Sequence, residues 1–381
     1  MSWGEDVQCD DGNPCTVGDT CAAGVCQPGT AATCNNNGVR ECSEQCDGTD
    51  DSACPGLCQG DCTCAPSPTP TLTPSRTPTG AATDTPTATP GCGTVSNYTN
   101  PSISYPRYLA VGSDGALWFT NLNNNSIGRI TTSGVISNYT DPSIGYTGVI
   151  TAGPDGGVWF TNYYANSIGR ITTSGVISNY TDPSISTPFG IVAGSEGALW
   201  FVNSGFANSI GRITTGGVVS NYTDPSISYP QYITAGPDGA LWFTNYLGNS
   251  IGRITTGGVV SSYTDPSISG PSGIAAGPDG ALWFANYGND SIGRITTSGA
   301  VSSYTDPSIS DPNLIAAGPD GALWFTNVGN ISIGRVTTGG TVSKYTDPGI
   351  SSPNGIAAGP DGGVWFANSL NDSIGRIQGC P

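Results

Sequence analysis

The chain contains no histidine, and only 10% of its 381 residues are charged. Imidazole is the side chain that exchanges protons near neutral pH, so acid–base chemistry is without its commonest agent here, and zinc is without a favoured ligand. Positive charge is scarce too: 11 Lys and Arg stand against 28 Asp and Glu, a formal net charge of −17. With no basic tract, the chain has no electrostatic footprint for nucleic acid or anionic membranes. No apolar run approaches the ~18–20 residues of a membrane span, so no membrane insertion is expected. No basic-then-apolar signal peptide follows Met1 either.

What is present is distributed unevenly. Residues 1–64 hold 11 of the 13 cysteines, and with 11 acids against Arg40 they carry a charge of about −10. Such density in a segment with few apolar side chains reads as a small disulfide-rich module, stable outside the reducing cytosol. A metal-binding alternative has neither histidine nor a paired Cys-x-x-Cys pattern behind it. Export without a visible signal leads to the expectation that the numbered chain lacks its original N-terminus, and that the protein is secreted or displayed at a cell surface. Asp10, Asp11, Asp19, Asp47, Asp50 and Asp51 have oxygens of the kind calcium takes. Their setting among turn formers reads first as solvated acidic turns, so no cofactor is assigned. Residues 65–91 are nearly all Pro, Thr, Ser, Ala and Gly. They predict an extended Pro/Thr-rich linker with no packed core.

From Cys92 to Pro381 the chain repeats itself. Trp118, Trp159, Trp200, Trp242, Trp283, Trp324 and Trp365 recur every 41 or 42 residues, each in a near-copy of Gly-Pro-Asp-Gly-Ala-Leu-Trp-Phe-Thr-Asn. Seven arginines (Arg129 to Arg376) and seven tyrosines (Tyr98 to Tyr345) keep the same spacing. A period of about 40–45 residues is that of a β-propeller blade. Each repeat divides into four strand-like runs, such as Tyr232–Ala235, Ala240–Thr244, Ser250–Thr255 and Gly258–Tyr263, separated by Gly-Pro-Asp-Gly and Thr-Thr-(Gly/Ser)-Gly turns. The fold class predicted is all-β: a seven-bladed propeller of four-stranded blades over 92–381, behind the Cys-rich module of 1–64 and the linker of 65–91. The strand rich in Ala and Gly should lie innermost and the most polar one outermost.

The domain begins with an outer strand, Thr94–Tyr98, and ends with a third strand, Ser373–Ile377. The last blade should therefore borrow its fourth strand from the start. Four residues on from Arg376 is Cys380 and six back from Tyr98 is Cys92; the same counts from Arg129 and Tyr139 both reach Ser133. Both cysteines thus fall on one turn position, where the covalent connection is missing, and a Cys92–Cys380 disulfide is expected to replace it.

Residues 9–26 and 34–64 resemble short Cys-rich repeats of bacterial surface proteins. The repeat from 94 to 377, Gly-Pro-Asp-Gly-Ala-Leu-Trp-Phe-Thr-Asn through Ser-Ile-Gly-Arg-Ile-Thr-Thr-Ser-Gly, is similar to that of streptogramin (virginiamycin B) lyases. That resemblance implies a seven-bladed propeller opening cyclic depsipeptides by elimination, with histidine as acid and base and magnesium near the pore. This chain departs from it. Histidine is absent, and where such lyases commonly carry Glu after Trp-Phe-Thr it has Asn121, Asn162, Asn203, Asn245, Asn286, Asn327 and Asn368. Seven identical amides read as turn caps. The seven arginines, beside Asp141, Asp182, Asp224, Asp265, Asp306 and Asp347, read as inter-strand ion pairs, with an Arg-lined anion pore as the other possibility.

Between blades, two segments vary. One is the residue just before the inner strand (Arg107, Thr147, Phe189, Gln231, Ser272, Asn313, Asn354); the other is the loop after the asparagine (Tyr163 and Tyr164, Phe206, Tyr246, Tyr287). If both meet at one rim, that face offers aromatics, amides and Arg107 to a ligand. The reading is a non-catalytic extracellular binding or adhesion disc on a Pro/Thr stalk, its partner a glycan, peptide or protein surface, self-association included. A surface-layer or filament subunit and a lyase-like enzyme acting on cyclic peptides without histidine are the alternatives.

Overall fold

A computed structural model describes residues 93–378 and, upstream, the strands Thr16–Val17, Thr20–Ala22, Val25–Gln27 and Thr30–Ala31. The chain divides into two compact units at residues 83 and 84. In the first, Thr20–Ala22 pairs with Val25–Gln27 so that Cys21 faces Cys26 in register, and Thr16–Val17 pairs with Thr30–Ala31. The linker, Cys92, Cys380 and the rest of the Cys-rich module lie outside the described residues.

Residues 93–378 form seven antiparallel four-stranded sheets. In blade 4 the strands are Pro230–Ala235, Leu241–Asn245, Ser250–Ile254 and Val260–Thr264, in that spatial order. The first strands neighbour one another around the axis, blade 7 meeting blade 1, so the ring is closed. Blade 7 takes Pro353–Ala358, Val364–Asn368 and Ser373–Ile377 from the end of the chain and Val95–Thr99 from its beginning, with Ile377 opposite Val95 and Ser373 opposite Thr99. Apart from the 3-10 turn Gly205–Ala207, no helix occurs among the described residues.

Burial explains the order of the strands. The second strand, Leu/Val-Trp-Phe followed by Thr, Ala or Val and then Asn, is buried at every position because neighbouring blades cover both its faces. An apolar run with no alternation, such as its Leu-Trp-Phe, is what such a strand needs. The fourth strand is half exposed and polar, as suits an outer edge. Phe243 packs over the third strand at Gly252, its partner in register, where any Cβ would collide with the ring. The same Phe–Gly pair recurs in every blade.

Each tryptophan is tied in place. Trp242 Nε1 donates to Asp238 at 3.0 Å, and Arg253 Nε donates to the other oxygen of that carboxylate at 2.7 Å. The guanidinium lies 5.8 Å over the Trp242 ring, and Tyr263 stacks on the same ring at 5.3 Å. Here the structure corrects the sequence reading. The arginines pair across 2.5–3.3 Å with the acids of the preceding Gly-Pro-Asp-Gly-type turn (Asp114, Asp155, Glu196, Asp238, Asp279, Asp320, Asp361), not with Asp141 and its equivalents. Arg376 and Asp361, 2.8 Å apart, are out of line for a hydrogen bond and form an ionic contact only. Asp141 instead accepts from the backbone N–H and hydroxyl of Ser143, capping its own turn, as Asp182, Asp224, Asp265 and Asp306 do for theirs.

Candidate functional site: the variable rim

Pro106 lies opposite Asn121, so the start of every inner strand and the loop after every second strand share one rim. The Gly-Pro-Asp-Gly and Thr-Thr-x-Gly turns lie at the other. A bulge in the pairing follows the first residue of each inner strand. The residue before it has left-handed backbone: φ is 51° at Tyr105, 44° at Tyr146 and 50° at Tyr229. Few non-glycine residues hold that conformation without support. A side-chain oxygen of the preceding blade supplies it, as where the Tyr146 N–H donates to Asn125 at 2.9 Å and the Tyr105 N–H to Asp372 at 2.6 Å.

Pairing also corrects one position. Thr147 sits opposite Asn162, where the other blades have proline, so the ring equivalent of Arg107 in blade 2 is Gly148. The second inner-strand residues are therefore Arg107, Gly148, Phe189, Gln231, Ser272, Asn313 and Asn354, and they belong to the strands instead of preceding them.

The third residues fill the axis: Tyr108, Val149, Gly190, Tyr232, Gly273, Leu314 and Gly355. Large and small alternate because the inner strands converge. A Cβ on Gly355 would lie 2.8 Å from Tyr108 Cα, and one on Gly273 would lie 2.8 Å from Leu314 Cα. Tyr108 and Tyr232 reach across from blades 1 and 4, and their hydroxyls meet at 3.2 Å. The small cavity beneath, about 130 Å³, is lined largely by Val149, Leu314 and isoleucines. Burial pushes the Tyr108 hydroxyl up and Tyr232 well above the ordinary phenol value, so both stay neutral at physiological pH. The sequence reading missed this pair, although the third position varies between blades as openly as the second.

The rim itself has two halves. Across blades 1–3 the rings form a continuous arc. Arg107 lies 5.3 Å over Tyr108, Tyr108 meets Phe189 edge-on at 5.8 Å, and Phe189 meets Tyr163 edge-on at 5.9 Å. Tyr163 then touches Tyr164 and Tyr146 at 5.0 and 6.0 Å. Tyr164 is 67% exposed. In blades 4 and 5, Tyr246 joins Tyr229 and Tyr287 at 6.4 and 6.5 Å, with Gln231 half-buried on the inner strand. Phe206 falls in the 3-10 turn Gly205–Ala207, and its side chain lies outside the described residues.

Blades 5–7 are different. Ser272 Oγ donates to Asn313 Oδ1, Asn313 Nδ2 to Asn354 Oδ1, Asn354 Nδ2 to Ser369 Oγ, and Ser369 Oγ to the Pro106 carbonyl, all within 2.8–3.2 Å. Asn313 and Asn354 are thus engaged with their neighbours in a structural belt. The asparagines after Trp-Phe are buried as well. Asn121 accepts from the Ser104 N–H and donates to Ser126 and Asn138, tying the two rim segments together as a cap would. Carboxylate groups able to hold a metal do not cluster among the described residues.

The repeat region, residues 89–229 and 222–379, matches the virginiamycin B lyase family. The chain belongs to that family. A streptogramin B lyase structure is 36% identical, with a TM-score of 0.70 over 75% of this chain and 97% of that one. A catalytically inactive histidine-to-alanine variant of virginiamycin B lyase from Staphylococcus aureus, solved with quinupristin, is 39% identical, with a TM-score of 0.70 over 74% of this chain and 98% of that one. Hydrazine synthase of Kuenenia stuttgartiensis, 15% identical with a TM-score of 0.64 over 73% of this chain and 97% of that one, shares the fold alone. No match was found among curated protein sequences. This chain contains no histidine at which such a histidine-to-alanine change could be made.

Proposed function

We propose that this propeller is a non-catalytic binding module, presented outside the cell on its Pro/Thr-rich linker, with the aromatic rim as its recognition surface. The observation that carries the reading is the missing histidine, since a family member altered at a single histidine is catalytically inactive. The phenols of the rim do not replace it. Those at Tyr108, Tyr163, Tyr232 and Tyr287 are held above their ordinary values, the first three chiefly by burial and Tyr287 chiefly by the Asp311 carboxylate. General acid–base catalysis needs a group that titrates near the working pH. Aromatic rings beside an arginine are instead the composition of recognition surfaces.

The test has two arms on the full-length protein. Incubated with a type B streptogramin and magnesium, it should leave the depsipeptide ring intact by mass spectrometry; on a glycan and peptide array it should bind a defined subset. Ring opening above a protein-free control would refute the non-catalytic reading, and a blank array would refute the binding one.

A further inference from the structure

Eight arginines lie in the propeller, and seven of them are neutralised by the acid of their own blade. The eighth is Arg107. No carboxylate pairs with it among the described residues, and its Nε is buried without a hydrogen-bond partner. The Tyr108 ring lies 5.3 Å from the guanidinium. The Nε is poorly satisfied, because a buried donor without an acceptor costs about 1–3 kcal/mol, more for a charged group. Gly148 follows Arg107 in the ring and brings no side chain of its own; the Thr161 hydroxyl fills the place beside it and donates to the Phe189 carbonyl, while the Tyr108 and Phe189 rings meet edge-on. From there Tyr163, Tyr146 and Tyr164 continue the arc outward, tilted or edge-on to one another, Tyr146 and Tyr164 being 4.3 Å apart and both exposed.

We propose that Arg107, seated over the buried Tyr108, and the arc of Phe189, Tyr163, Tyr146 and Tyr164 form a binding site for a carboxylate carried on or beside a ring. The inference rests on the rim being a recognition surface. A single arginine supplies one positive charge in a planar fork, which matches a monocarboxylate better than a phosphate. The partly exposed rings beside it, tilted or edge-on to one another, offer apolar contacts to a ring, whether a pyranose or an aryl group. Among the described arginines Arg107 alone lacks a carboxylate partner, which leaves its charge for an anionic ligand.

Calorimetric titration of the full-length protein tests this, with a hexuronate trisaccharide and an N-acetylated aromatic amino acid as the two probes, each beside its methyl ester. One of the acids should bind about tenfold or more tightly than its ester, and which one identifies the source of the carboxylate. Arg107→Gln should abolish that preference, Arg107→Lys should restore part of it, and Tyr164→Ala should weaken both acid and ester. Tyr164 is exposed, so its removal leaves the fold intact, and the acid–ester comparison needs no variant at all. Equal affinity for acid and ester, or no binding of either acid, overturns the proposal. If array ligands then still depend on Tyr164 but not on Arg107, the recognition surface stands without its carboxylate specificity. If the streptogramin is opened, the non-catalytic reading itself has failed.

Discussion

Asp238 accepts from the Trp242 indole, the Arg253 guanidinium and the Ala240 amide. Asp238→Ala would leave a fully buried indole N–H with no acceptor, so a loss of about 1–3 kcal/mol in chemical denaturation is expected. Asp265→Ala removes only a solvent-facing turn cap and should lower the denaturation midpoint less. The sequence showed an arginine and two candidate acids per repeat but not which acid it meets. Asp265 lies closer to Arg253 in the chain than Asp238 does, yet the hairpin fold of the sheet brings the turn acid back beside the third strand. Chain distance was the wrong measure. Only the pairing of Trp242 with Arg253 in register shows that one carboxylate spans both.

A blade is held by the fit of its second and third strands. Gly252→Ala would drive a methyl group into the Phe243 ring in a site closed on every side, and overpacking of that kind costs about 1–3 kcal/mol. A thermal melt of the variant should show the loss as a lowered midpoint. At this scale much was legible in the sequence: strand number, strand order and both turn types follow from a motif repeated seven times. The variable rim was legible in outline, because Tyr163, Tyr164, Phe189 and Arg107 differ from their counterparts. What stayed hidden depends on convergence at the axis. That Gly273 and Gly355 make way for Leu314 and Tyr108 comes from contacts between different repeats, which a comparison of repeats position by position does not reveal. Asn313 and Asn354 looked like ligand-facing amides for the same reason; their partners lie 41 residues away.

Across the whole ring, carboxylates repeat their environment and their effects add. Burial works against ionisation at Asp114, Asp155, Asp238, Asp279 and Asp320, but bonds from Trp and Arg outweigh it and hold them below the usual carboxylate value. Their stabilisation is complete above the unfolded value of about 4 and is lost as pH falls through the lower folded values. Thermal midpoints should therefore be flat from pH 7 to 5 and drop steeply below 4. Ring closure gives a second expectation. Gly93 N–H donates to Gln378 O at 3.5 Å and Gln378 N–H to Thr94 O at 3.2 Å, so the residues flanking Cys92 and Cys380 on the propeller side are paired. Non-reducing peptide mapping should recover Cys92 linked to Cys380, and reduction should cost about 2–5 kcal/mol; finding both thiols alkylatable in the folded protein would refute the link. The borrowed strand also decides how the disc responds to force. Val95–Thr99 runs from the turn rim toward the aromatic rim, against Ser373–Ile377. With a Cys92–Cys380 link in place, a pull on the linker is shared by both strands; once that link is reduced and the aromatic rim is held, it acts along Val95–Thr99 alone. Its backbone hydrogen bonds are then sheared together instead of being peeled open one at a time, the loading direction in which a five-residue strand resists most.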